Sequence, residues 1–248
     1  MPVPHQFQTT HWTQVVAAQG TSPEAKDALR SLCETYYEPV ELFVQRYTAE
    51  SAMTSNEEAL DLTHEFFRKL LEGLSLENAD RTRGRFRSYL LGAVKHFLAN
   101  HRDRSQALKR GGGEQTLSLS GTGNDSSNNA ANVADSAELP SDDFFDRQWA
   151  LAVVGQAIEI LREEAVSNGD VARFEVLQQW LVTPSSHETA VEAARSLDIS
   201  DGAFKVAIHR LRKRFRQVVV ERISLTVDDP AEVEAELSDL ITAIGSQS

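Results

Sequence analysis

The sequence predicts an all-α protein of two small helical domains joined by a flexible acidic linker. Apolar residues recur at three- and four-residue steps along nearly every patterned stretch, and no stretch alternates with a period of two. A Gly/Ser/Asn/Asp-rich run from Gly111 to about Ser141, with few aliphatics and no positive charge, divides that pattern. Such a run cannot offset the entropy of ordering. The chain has 248 residues, 41% of them hydrophobic, which is enough for two cores.

In the first half, Leu29, Leu32, Cys33, Tyr36, Val40, Phe43, Val44 and Tyr47 form one helical stripe. Leu60, Thr63, Phe67, Leu70, Leu71 and Leu74 form a second, and Phe86, Tyr89, Leu90, Ala93, Val94, Phe97 and Leu98 a third. Ser22 ahead of Pro23 and the capping-box run Ser55-Asn56-Glu57-Glu58 mark helix starts. Pro39 lacks a backbone donor, so a kink or break is expected there.

After the linker, helical spacing resumes at Trp149, Val153, Ala157 and Leu161, and again at Val171, Phe174, Leu177 and Leu181. Ser185-Ser186-His187-Glu188 can cap a short helix carrying Ala190, Val191, Ala194 and Leu197. Leu197-Asp198-Ile199-Ser200 makes a tight connection, and Ser200 can cap the next helix. There Phe204, Ile208, Leu211 and Phe215 form an apolar stripe, while Lys205, His209, Arg210, Arg212, Lys213 and Arg216 occupy the other face. In the tail, Asp229 and Pro230 start a last helix with Val233, Leu237, Leu240, Ile241 and Ile244 on one stripe. That helix is expected to pack on the second domain as an extra core helix; the other reading is that its acidity covers the basic helix before it.

The net charge of −12, read alone, argues against a nucleic-acid partner. Mapped along the chain it does not: residues 81–110 carry +8 and 205–222 carry +6, while every other segment is acidic. Clustered Lys/Arg is the footprint of a phosphate-binding surface, although a charge run can equally be a solvated helix face.

Other classes fall away. Cys33 is the only cysteine, so an internal disulfide or a multi-cysteine metal site is excluded, and its place on an inward stripe makes it a small core residue. His96 and His101 are five apart, and His64-Glu65 and His187-Glu188 lack the second histidine of H-E-x-x-H, so no metal site is expected. No Gly-rich loop follows a strand, and no cofactor is expected. With neither a signal-peptide pattern nor eighteen consecutive apolar residues, the chain is expected to be cytoplasmic, with no membrane partner.

A short helix, a tight turn and a second helix with a basic face is the helix-turn-helix pattern. Its second helix, in the run Ile199-Ser200-Asp201-Gly202-Ala203-Phe204-Lys205-Val206-Ala207-Ile208-His209-Arg210-Leu211-Arg212-Lys213-Arg214, resembles region 4 of the extracytoplasmic-function (ECF) sigma factors. It departs at Ala207 and Val206, where Arg and a small polar residue are common, so the promoter sequence does not carry over. Asp61-Leu62-Thr63-His64-Glu65-Phe66-Phe67 resembles the family's polymerase-gripping helix, with His64 in place of Gln. Phe86-Arg87-Ser88-Tyr89-Leu90, with the following run to Arg104, is similar to the stretch that melts the promoter.

The resemblance implies region 2 over 1–106, a linker over 107–146, region 4 over 147–224 and an acidic extension over 225–248. It implies no covalent chemistry, with core RNA polymerase and promoter DNA as partners of a free monomer, and an anti-sigma factor as a further candidate. The polymerase contacts would be Asp61, His64, Glu65 and Arg68. The −10 contacts would be Arg85, Arg87, Lys95, His96, Asn100, Arg102 and Arg104, with Phe86, Tyr89 and Phe97 in the core instead. Arg81 and Arg83 extend the first basic block ahead of them. The −35 contacts would be Ser200, Gly202, Lys205, Val206, His209, Arg210, Arg212 and Lys213. A stand-alone helix-turn-helix regulator or a sigma-sequestering adaptor are the alternatives.

Overall fold

The computed structural model describes residues 23–50, 56–72, 86–109, 139–182, 187–227 and 230–245. Their regular structure is helical: α1 Pro23–Glu50, α2 Asn56–Leu71, α3 Phe86–Lys109, α4 Asp142–Ser167, α5 Val171–Leu177, α6 Gln179–Val182, α7 His187–Ser196, α8 Asp201–Ser224 and α9 Val233–Gly245. The chain divides into two compact units, Met1–Gln148 and Trp149–Ser248.

In the first unit, α1 buries Leu29, Leu32, Tyr36, Val40, Phe43 and Val44 at its expected period. The helix is continuous through Pro39, so no break occurs. Pro39 is itself buried, and the core residues on both sides of it, Tyr36 and Phe43, hold the two halves in place despite the lost donor. On α2 the buried face is Ala59, Leu62, Thr63, Phe66, Phe67 and Leu70, whereas Leu60 and Leu71 of the expected stripe are exposed. The stripe is rotated towards Leu62 and Phe66, and the expected Thr63 is buried at no polar cost: its hydroxyl donates to the Ala59 carbonyl at 2.8 Å. Leu74 lies outside the described residues. On α3 Phe86, Leu90, Val94 and Leu98 are fully buried, and Phe86 meets Tyr36 edge-on at 5.1 Å.

The linker expected over 107–146 is shorter than that. Residues 107–109 continue α3, and α4 begins at Asp142. Ser141 starts that helix, its Oγ accepting from the Phe144 N–H at 3.3 Å. Phe145 is wholly buried, edge-on to Phe43 at 5.8 Å, and the Arg46 guanidinium lies 5.0 Å from the Phe144 ring centre. Burying one such phenyl contributes roughly 1.5–3 kcal/mol, which is why these residues are ordered on the first unit. Residues 110–138 lie outside the described ones.

In the second unit, α4 buries Trp149, Val153, Ala157 and Leu161 as expected. It stops at Gly169, whose φ of 71° is costly for other residues. Leu177, Trp180, Ala193, Ala194, Phe204 and Ala207 form a core cluster, with Trp180 and Phe204 at 5.1 Å and nearly perpendicular. The alanines let α7 and α8 approach closely. Between them, Leu197–Ser200 reverses the chain. The Ile199 N–H bonds back to the Ala194 carbonyl at 3.1 Å, and Asp198 takes a left-handed φ of 52°. Ser200 caps α8, accepting from the Ala203 N–H at 3.2 Å.

The tail enters through a 3-10 turn, Pro230–Glu232, and α9 packs against α8 as an extra core helix. Asp229 lies outside the described residues. The buried face of α9 is Glu236, Leu237, Leu240 and Ala243, while Ile241 of the expected stripe is exposed. Among the described residues no helix is long and apolar enough to cross a membrane.

Candidate polymerase and nucleic-acid interfaces

Asp61, His64, Glu65 and Arg68 share one face of α2 because they fall at i, i+3, i+4 and i+7. Asp61, His64 and Arg68 are exposed and Glu65 is half-buried. Three of the four are held by neighbours. Arg68 pairs with Glu72 at 2.8 Å, and Glu65 with Lys69 at 2.5 Å. The hydrogen bond from Lys69 holds the Glu65 carboxyl below the usual carboxylate range despite some burial. His64 Nε2 is hydrogen-bonded to the Tyr37 hydroxyl at 2.9 Å, and the Tyr37 ring stacks on Phe67 at 5.3 Å. Burial, then the charge of Glu41, pushes the Tyr37 hydroxyl up, so it keeps its proton. Tyr37 is thus a member of this surface that motif reading missed. Its signal was an aromatic residue beside, not on, the apolar stripe of α1.

On α3 the expected core aromatics are inside: Phe86 and Tyr89 are buried, and Phe97 packs on Phe66 at 5.6 Å with the Lys69 ammonium 5.0 Å from its ring centre. The cations do not behave as the motif suggests. Arg87 is not an exposed DNA contact: its side chain is 7% accessible and bonds Asp146 at 2.5 Å. Lys95 is likewise engaged, paired with Asp142 and mostly covered. The two acids are in the first turns of α4, in the segment read as tether. Sequence reasoning missed the pairs because their members are 59 and 47 residues apart. A capping serine followed by Asp142-Asp143-Phe144-Phe145-Asp146 was the available signal.

Of the other expected contacts, His96, Asn100, Arg102 and Arg104 are at least partly accessible. His96 is exposed and its ring lies 3.2 Å from the Asn100 side-chain nitrogen. Arg102 is half-buried with Asp103 at 3.9 Å, and Arg104 is exposed. Arg81, Arg83 and Arg85 lie outside the described residues.

On α8 the basic residues divide by helix face. Arg214 reaches Glu164 at 2.6 Å and Glu221 at 3.1 Å, holding the Glu164 carboxyl below its ordinary range, and Arg222 bonds Gln156 at 2.8 Å. Arg212, expected on DNA, instead donates from Nε and Nη2 to the Trp180 carbonyl at 2.9 and 2.7 Å. That oxygen lies at the end of the short α6, where carbonyls lack helical partners, and a guanidinium fork satisfies it. Ser200 is likewise occupied by its capping bond. Arg212 and Ser200 are nonetheless exposed, as are Gly202, Lys205, Val206, His209, Arg210, Lys213 and Arg216. Lys205 makes an exposed pair with Asp201 at 2.8 Å, which costs little to open. Among the described residues His209, Arg210, Lys213 and Arg216 have no ion-pair partner.

Buried Cys33 has its thiol pushed up to about 12, by desolvation first and Glu34 second, so it is inert packing. Among the described residues no three His, Cys, Asp or Glu side chains are grouped to hold a metal ion.

Searches of curated proteins and of solved structures return no match. A family model described as ECF sigma factor matches residues 9–152, from ahead of α1 into α4 and so across both candidate surfaces of the first unit. With more than half of its length matched, the chain belongs to the ECF sigma factors, non-enzymatic proteins that bind RNA polymerase and give it promoter specificity.

Proposed function

We propose that the two units divide the work of promoter recognition. The first is the region 2 domain: the α2 face of Asp61, His64, Glu65 and Arg68, buttressed by Tyr37, grips core polymerase. His96, Asn100, Arg102 and Arg104, with Arg85 and the arginines ahead of α3, follow the opened strand of the −10 element. Opening a duplex needs cations along the displaced backbone, and among the described residues of this stretch Arg104 is exposed and Arg102 half-buried. The second unit is the region 4 domain, in which α7, the Leu197–Ser200 turn and α8 make a helix-turn-helix. The N-terminal half of α8 enters the major groove of the −35 element.

The observation that carries this reading is the outward face of α8. Its basic residues Arg210 and Lys213, with His209, lie on exposed turns past a capped N-terminus, while Arg212 and Arg214 of the same run are bonded to the Trp180 carbonyl and to Glu164. The free protein is a monomer in this reading, with an anti-sigma factor as a candidate partner. Run-off transcription with purified core polymerase tests it. The chain should confer initiation at a selected promoter, and Arg210→Glu should abolish it without unfolding the protein. Initiation that is independent of the chain, or untouched by Arg210→Glu, would overturn the assignment.

A further inference from the structure

We infer that Val206 reads the 5-methyl group of a thymine in the upstream promoter element. The inference rests on the proposed entry of α8 into the major groove and adds what the helix selects there.

Val206 is a large apolar side chain half exposed to solvent, at 50%. Other exposed large apolar residues of this unit, Leu151, Val166 and Ile241, belong to α4 and α9. Val206 instead shares its face with Gly202, Lys205, His209, Arg210 and Lys213, at spacings of four, one, three, four and seven residues. Folding gives no reason for it: a β-branched residue in a helix loses side-chain freedom, and one half in water recovers little by packing.

The turn before it is cleared of bulk. Gly202 and Ala203 are exposed, and a Cβ built at Gly202 would meet nothing within 4 Å. Neither close packing nor an unusual backbone angle therefore requires glycine at 202 within the protein. A bare first turn lets the helix start approach the floor of a groove. Ser200, the polar group nearest that floor, has its oxygen committed to the Ala203 N–H.

In the major groove base edges offer donors and acceptors, and the one apolar group that projects from them is the thymine methyl, where cytosine has only a C5 hydrogen. Valine has nothing to pair with a donor or acceptor, and covering one leaves it unsatisfied. Set against a thymine methyl, the same side chain buries apolar surface on both partners. The cations at 205, 210 and 213, with the His209 ring, can hold the backbone and neighbouring bases while Val206 discriminates at its own step.

The test is methyl deletion. The full chain bound to core polymerase selects upstream sequences from a randomised duplex pool, and each selected thymine is replaced in turn by deoxyuridine, which lacks only the methyl. At one position the substitution should weaken binding about fourfold, the factor for burying one methyl-sized group. That sensitivity should vanish in Val206→Ala and persist in Arg210→Ala. Since Val206 is exposed, Val206→Ala should melt with the wild type. Selection of a defined sequence with no deoxyuridine effect, or with an effect that Val206→Ala retains, overturns the inference and leaves the placement of α8 standing. Failure to select any upstream sequence overturns that placement and the inference together.

Discussion

The two basic blocks are nearly equal in charge, +8 over 81–110 and +6 over 205–222, yet the protein treats them differently. In α3 the two cations nearest the helix start, Arg87 and Lys95, are covered and paired with acids of α4. In α8 the cations nearest the start face water, and those bonded to protein groups, Arg212 and Arg214, follow later, Arg212 still exposed. A Lys/Arg cluster therefore has no single meaning. Where an apolar anchor such as Phe145 brings an acidic turn onto a basic helix, part of the cluster becomes structural. Where the neighbouring helix is packed through alanines on the opposite face, the cluster stays available for phosphate.

The sharpest way to break this contrast is Arg87→Ala. Removing the buried Arg87 leaves the Asp146 carboxylate, 32% accessible, without this partner, and urea unfolding should show a loss of roughly 2 kcal/mol in the first unit. Replacing both partners with Arg87→Met and Asp146→Leu should recover much of that loss. A stable Arg87→Ala protein that fails only in promoter opening would put Arg87 back on DNA. On α8 the reverse is expected: Arg210→Glu with Lys213→Glu should lower duplex affinity on the order of 100-fold, by gel shift, with an unchanged melting temperature.

Adjacent residues sharpen the comparison within one helix. Arg212→Gln should destabilise the second unit by about 1 kcal/mol through the loss of its bonds to the Trp180 carbonyl, leaving the salt dependence of DNA binding as it was. Lys213→Gln should do the opposite, with no change in stability and a salt slope shallower by about 1. The smallest effect concerns pH. Because Arg214 depresses the Glu164 pKa, their pair adds stability above the unfolded carboxylate pKa of about 4.3, and that stability is lost as pH falls through the lower folded value. Both side chains are 39% accessible, so screening keeps the effect near 0.5 kcal/mol. In acid thermal melts, Glu164→Gln should flatten that part of the profile.

Much of the fold was legible along the chain. The stripe of α1 is buried as its spacing requires, Ser200 caps α8, and Phe204 heads the inward face of that helix. The exact rotation of weaker stripes was less legible: Leu60, Leu71 and Ile241 are outside while Leu62, Phe66 and Glu236 are inside, because packing against the neighbouring helices decides which row turns inward. The α2 face is one surface as its spacing implied, but its Tyr37 partner comes from a different helix.

Whereas the caps expected at Ser22, Ser55, Ser185-Ser186 and Asp229 lie outside the described residues, helical class, the Ser200 cap, the turn before α8 and the positions of the basic blocks follow from the sequence by itself, since each depends on residues within a turn or two of one another. Which cations remain free does not. The bonds that engage Arg87, Arg212 and Arg214 close over 59, 32 and 50 residues. Only packing of apolar anchors decides which acid or carbonyl arrives beside which guanidinium, so the availability of charge is a tertiary property.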